Sequence, residues 1–319
     1  MGENAQKIGK KLEEFGCDIL SMFMWSEKMR DKQINCNKYA HKNENGNKKS
    51  THGIDLYFEY PDTYINKIQG VFVECKNRQW ESVNKGNIEK WVSEEINLLE
   101  CAMFNDEISE FFAEDSDRNC ALLLINVNDG KFDKDKFYEY VDSVEIPNKR
   151  APFKIFIAGN DMIAKWDAIH KMIKSDYKGK VKVIYPSINN SKSMKADYWS
   201  INHLFSKYIF CEAEDEVEMT IYGNHAKMLV KRLIIFCFDK ICKDSFNYLW
   251  SMCRSFQYES QYVNFDICFY ADNKEEVDYI HENLMNILKN YEGKIDSNIL
   301  DNTNVKFLLN RNISAVDNR

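Results

Sequence analysis

The chain has 319 residues, 44% of them hydrophobic and 29% charged, with only 12 glycines and 4 prolines. That is enough sequence for two ordinary domains, each with its own core, and it excludes a disordered or collagen-like chain. A net charge of −7 at pH 7 excludes a protein whose whole surface clasps nucleic acid, since neutralising phosphates takes a local excess of Lys and Arg.

The elements follow in chain order. Residues 3–24 carry Ala5, Ile8, Leu12, Phe15 and Ile19 at steps of three and four, predicting an amphipathic helix whose polar face includes Glu13 and Glu14. Residues 28–49, rich in Lys, Asn and His, read as a flexible basic segment, equally suited to solvent and to phosphate contact. Two β-rich runs follow at 53–60 and 70–76, joined by PDTYINKIQ as a hairpin connection. The periodicity predicts a helix over 88–104, with Ile88, Trp91, Val92, Ile96, Leu99 and Met103 on one side. Strands at 120–127, 153–159 and 181–187 alternate with helices, the pattern of crossover units feeding one partly parallel sheet. A polar stretch at 188–198 marks a soft boundary, giving domains of 1–190 and 191–319. Beyond it, strands near 216–224, 231–239, 263–271 and 305–309, with two intervening helices, predict a smaller α+β domain for partner binding, oligomerisation or substrate recognition. The last ten residues are expected to fray.

The ten scattered cysteines show no CxxC pair and no Cys/His cluster at zinc-ligand spacing, which predicts a reduced, cytoplasmic protein. No apolar run approaches the length that spans a bilayer, so no membrane association is expected.

The chemistry concentrates in the two β-rich runs. Strand alternation sends Asp55, Tyr57 and Glu59 to one face and Phe72, Glu74 and Lys76 to one face of the next strand, so a hairpin would bring Asp55, Glu74 and Lys76 onto a shared surface. Burying charges costs several kcal/mol or more unless they are paired or bind a metal. Two carboxylates beside an ammonium suit a hard divalent cation such as Mg²⁺, with Mn²⁺ as a substitute, and Lys76 beside it suits orienting or activating a water. A structural salt bridge is the plainer alternative.

The order of helix, Gly53-Ile54-Asp55 strand, Val71-Phe72-Val73-Glu74-Cys75-Lys76 strand and second amphipathic helix resembles the PD-(D/E)XK, or restriction-endonuclease-like, nuclease superfamily. Asp55 falls on its first acid and Glu74-Cys75-Lys76 on its tripeptide, although no proline precedes Asp55. The resemblance implies an α/β fold with a mixed sheet flanked by helices over roughly the first half. It also implies Asp55 and Glu74 as metal ligands, Lys76 as the water-activating group, and a helix acid, Glu13 or its neighbour Glu14, completing the site. Arg78 and Gln79, leaving the strand, are candidates for substrate phosphate. For Trp80 a core role is favoured over base stacking, for Glu59 an exposed strand acid over a second metal ligand, and for His52 a strand-start side chain. Lys85 and Lys90 suit a backbone-tracking groove or a solvated helix face equally, and His170, His203, His225 and His281 show no partner spacing.

The expected function is a Mg²⁺-dependent DNA endonuclease in bacterial antiviral defence, acting as a homo-oligomer or with a second protein subunit. A catalytically silent binding subunit and a DNA repair or junction nuclease are the alternatives.

Overall fold

The computed structural model describes residues 2–43, 45–146, 152–187, 193–221, 224–240, 242–271, 274–291 and 295–309. Two compact units emerge, the first running to Ala164 and the second beginning at Lys165.

In the first unit, helix α1 (Gly2–Met22) leads into strand β1 (Ser26–Asn35), the hairpin β2 (Thr51–Asp62) and β3 (Lys67–Arg78), helix α2 (Lys85–Ala102), strand β4 (Asp117–Val127), helix α3 (Lys134–Asp142) and strand β5 (Lys154–Ala158). The sheet order is β1-β2-β3-β4-β5, antiparallel through β3 and parallel thereafter. The switch follows from the connections: four residues turn β2 into β3, whereas α2 and α3 return the chain to start β4 and β5.

Helix α1 covers one face. Leu12, Ile19 and Leu20 are buried, and the side chains of Ala5 and Ile8 lie outside the described residues. Gly16 lets the helix sit close to the sheet: a Cβ there would lie 3.1 Å from Leu124 Cδ1, 3.7 Å from Cys75 Sγ and 3.9 Å from Leu56 Cδ1. The opposite face is covered by α2 and α3. Leu98 and Leu99 pack with Tyr57, Phe72 and Ala121, and Ile88, Trp91, Val92 and Ile96 pack with Leu123, Ile125, Val127 and Phe137. Asn84 starts α2 by accepting the Asn87 N–H at 3.1 Å.

Residues 28–49 depart from the flexible segment expected of them. Most of β1 falls within them, and Met29, Ile34 and Cys36 enter the core. The strand is edge-located and nearly all polar, and its pairing is irregular between Glu27 and Met29, so no period of two is visible in the sequence. The loop after it is closed by a bridge between Lys42 and Lys48, with His41 buried.

The second unit holds most of helix α4 (Asn160–Asp176), strands β6 (Val181–Tyr185) and β7 (Met194–Ala196), the short helix α5 (Ile201–Leu204) and the long hairpin β8 (Tyr208–Ile221) and β9 (Asn224–Cys237). Helices α6 (Lys243–Ser255) and α7 (Tyr258–Gln261), strand β10 (Asn264–Ala271), helices α8 (Lys274–Lys289) and α9 (Ser297–Asp301) and strand β11 (Thr303–Leu309) complete it. The sheet order is β11-β10-β9-β8-β6-β7. Leu233, Ile235, Phe265 and Ile267 face Leu249, Trp250 and Cys253 of α6 and Ile280 and Leu284 of α8. The run at 181–187, expected as the last strand of the first sheet, joins the second instead by pairing antiparallel with β8. The two compact units divide at 164/165, and the expectation placed a soft boundary near 190. Residues 188–192, part of the expected boundary, and the tail from 310 lie outside the described residues.

Candidate active site

The hairpin register pairs Leu56 with Val73, Tyr57 with Phe72 and Phe58 with Val71. Beyond Leu56 the Asp55 carboxylate takes over, accepting the backbone N–H of Cys75 at 2.9 Å. Ile54 and Tyr57, which strict alternation would send to opposite faces, both pack in the cluster that includes Leu98 and Leu99. Asp55 lies between them on β2. Opposite it on β1, Asp31 has a left-handed φ of 48° and lies between Arg30 and Lys32, the partners of Leu56 and Ile54.

Glu74 and Lys76 lie two residues apart on β3 and form an ion pair, both largely buried. Burial and the nearby Asp55 charge push the Glu74 carboxyl up to about 7, against the pull of Lys76. Burial disfavours the Lys76 ammonium, but Glu74, Asp55 and Glu94 outweigh it and hold the Lys76 pKa above its ordinary value. The Glu74 carboxyl thus stays hard to ionise beside its own lysine, first through burial and then through the Asp55 charge.

Two helices bring further carboxyls to this neighbourhood. Glu13 on α1 is half-buried, and its carboxyl is raised first by burial, then by Asp55 and Asp31. Its neighbour Glu14 is exposed, so of the two it is Glu13 that the helix turns toward Asp55. From α2 comes a carboxyl that the motif reading missed. Glu95 is 3% exposed, its Oε2 has no hydrogen-bond partner among the described residues, and burial followed by Glu74 raises its pKa well above the carboxylate range, with Lys76 acting against the rise. The sequence did carry a signal: Glu95 lies seven residues after Ile88 and four after Trp91, on the apolar stripe of α2.

Asp55, Glu74, Lys76, Glu13 and Glu95 therefore share one electrostatic neighbourhood at the end of the β2–β3 pairing. Oxygen donors gathered in excess of their cationic partners, one carboxylate oxygen being buried and unpartnered, fit a hard divalent cation. Arg78 and Gln79 lie just beyond, exposed where β3 ends, with Arg78 Nη1 donating to the Asn77 carbonyl at 3.2 Å. Trp80 stacks on Tyr140 and edges Phe132, a packing role. Glu59, expected to be exposed, is buried: it accepts the Tyr57 hydroxyl at 2.9 Å and the Ala113 N–H at 3.0 Å, which accounts for its charge without a metal. Lys85 is exposed and pairs with Glu89 at 3.5 Å, as a solvated helix face does, and Lys90 is exposed on the same helix.

The absence of a Cys/His cluster, read from spacing, does not hold in three dimensions. Cys36, His41, His52 and Cys101, all buried, bring one potential ligand atom each within 4.8 Å of the others. They come from the end of β1, the following loop, the start of β2 and the end of α2, and such separations match no short linear motif.

No helix among the described residues is long and apolar enough to cross a membrane. No match is found among curated proteins or among solved structures. Residues 1–162 match the family model described as the GAPS4 protein PD-(D/E)XK nuclease domain, a defence-associated family, in agreement with the mixed sheet flanked by helices and with the acid and lysine cluster on it. The match covers half the chain, and the protein belongs to the GAPS4 PD-(D/E)XK nuclease family.

Proposed function

We propose that the chain is a divalent-metal-dependent deoxyribonuclease that hydrolyses phosphodiester bonds in antiviral defence, working with a second copy of itself or with another protein subunit. The observation that supports this reading is the shared electrostatic neighbourhood of Asp55, Glu74, Lys76, Glu13 and Glu95.

Asp55, Glu74 and Glu13 would hold a Mg²⁺ ion, with Mn²⁺ as a substitute. Held there, such an ion would supply Lewis-acid polarisation of the phosphoryl group and a lowered pKa for a bound water. Lys76, whose ammonium form is favoured by Glu74, Asp55 and Glu94, orients the attacking water and offers positive charge to the phosphoryl oxygens as the P–O bond to the leaving group breaks. The Cys75 N–H fixes the Asp55 carboxylate in orientation. Arg78 and Gln79, exposed at the strand exit, contact substrate phosphate.

The test is cleavage of plasmid DNA with Mg²⁺ or Mn²⁺ by the purified chain, alone and with its partner subunit. Asp55→Ala and Lys76→Ala are expected to lower the rate by about 10²–10⁴-fold with folding intact. A wild-type chain that cuts no DNA under any of these conditions, and binds no Mn²⁺, would show that the domain serves only to bind. Cleavage confined to branched substrates would point to a repair role instead.

A further inference from the structure

The buried Cys36, His41, His52 and Cys101 take no part in the proposed hydrolysis. Four of the six distances between their ligand atoms match those of a tetrahedral site, and all six lie within 4.8 Å. Zn–S bonds of about 2.3 Å and Zn–N bonds of about 2.0–2.1 Å at tetrahedral angles place sulfurs about 3.8 Å apart, sulfur and nitrogen about 3.6 Å apart and nitrogens about 3.3 Å apart. Cys36 Sγ and Cys101 Sγ are 3.9 Å apart, His41 Nδ1 is 3.4 Å from Cys36 Sγ and 3.5 Å from Cys101 Sγ, and His41 Nδ1 is 3.3 Å from His52 Nε2.

The Cys36 and Cys101 thiols can donate to the Lys38 carbonyl at 3.5 Å and to Asn37 Oδ1 at 3.2 Å, but hydrogen bonding does not explain the crowding at His41 Nδ1. His41 Nδ1 has either one proton or one lone pair in the ring plane, yet three potential partners surround it at nearly equal distances. A cation at their centre satisfies all four groups at once. The other nitrogen of His41, Nε2, meets Glu100 Oε2 at 3.0 Å, the carboxylate contact that orients a metal-bound imidazole.

We propose that Cys36, His41, His52 and Cys101 bind a structural Zn²⁺ ion, distinct from the catalytic metal. Four protein ligands close the coordination sphere, so the ion has no open position for substrate. It ties the loop after β1 to the start of β2 and the end of α2. His52 precedes Asp55 by three residues and Cys101 follows Glu95 by six, so the site anchors both elements that bring those acids together.

Zinc content of the full-length chain, purified without chelators and measured by inductively coupled plasma mass spectrometry, tests the site. The expected result is about one Zn²⁺ per chain, retained in Asp55→Ala and Cys242→Ser and lost in Cys101→Ser and His41→Ala. Because the last two variants need not fold, wild-type protein produced with Co²⁺ gives a second readout: the intense visible bands of tetrahedral cobalt with thiolate charge transfer in the near ultraviolet. His52→Cys, which keeps four ligands, is expected to retain the metal and shift those bands. Folded wild-type chain that is free of zinc after growth in zinc-replete medium, or that carries a Cys36–Cys101 disulfide in its place, would overturn the proposal, as would cobalt spectra without the thiolate bands.

Discussion

Glu95 shows what a single buried carboxyl does to stability. Its folded pKa lies well above 4.5, chiefly through burial and then Glu74. Below about pH 4.5 the group is protonated in both folded and unfolded chains, and its stabilising effect is complete; as pH rises toward its folded pKa, the unfolded chain releases the proton first and stability falls. Glu95→Gln keeps the shape and removes the titration. In Mg²⁺-free buffer at pH 8 the variant is expected to be more stable than wild type by about 1–3 kcal/mol, with the gap closing toward pH 4.5 and narrowing when Mg²⁺ is added. Parallel denaturation curves for the two proteins across that pH range would show that Glu95 does not share the charge of the acid cluster. Glu74, raised to about 7, adds a contribution of the same sign between about pH 4.5 and 7.

At the scale of elements, the site depends on how closely α1 lies on the sheet. Gly16, one turn beyond Glu13 and within reach of Leu124, Cys75 and Leu56, sets that approach. Gly16→Leu is expected to destabilise the first unit by about 1–3 kcal/mol through overpacking, and to weaken Mn²⁺ binding as α1 shifts Glu13 away from Asp55. Equilibrium unfolding and Mn²⁺ titration check the two effects separately. Gly70 acts similarly on β3: a Cβ there would lie 2.1 Å from the Tyr57 hydroxyl, the group that anchors Glu59. Gly70→Ala would therefore displace the Tyr57 hydroxyl from Glu59, the carboxylate that accepts the Ala113 N–H.

For the whole molecule, two sheets with separate cores imply two cooperative transitions in calorimetry rather than one. A single substitution can assign them. Asp266, 1% exposed in the middle of β10, accepts from Asn304 at 2.9 Å, Tyr177 at 2.7 Å and Arg232 at 2.7 Å, and lies 3.0 Å from Lys306. Burial alone would raise its pKa, but those hydrogen bonds and the Arg232 charge win and hold it below the usual carboxylate value. Asp266→Asn is expected to lower the transition of the second unit by about 2–3 kcal/mol, since Arg232 keeps Asp215 and Lys306 keeps Asp176, and to leave the first unit's transition in place. Because the folded pKa is depressed, this stability is present above about pH 4 and is lost as pH falls through the folded value. A shift in both transitions, or in neither, would contradict the assignment.

Local pattern alone determined the helix, hairpin and helix of the nuclease half, because amphipathic stripes such as Ile88, Trp91 and Val92 and the apolar runs before Glu74 and at 120–127 are set by what each residue must bury. It also singled out Asp55, Glu74 and Lys76, charges that an otherwise apolar strand has no reason to keep. Tertiary structure decided the rest. The partner of β6 is β8 rather than the first sheet, since a short apolar strand carries no label for the sheet it joins. Glu13 rather than Glu14 faces Asp55, a matter of where α1 turns as it docks over Gly16. The meeting of Cys36, His41, His52 and Cys101 depends on an edge strand, a closed loop and a helix end arriving at one point, and distances between elements far apart in the chain are set only once the sheet has formed.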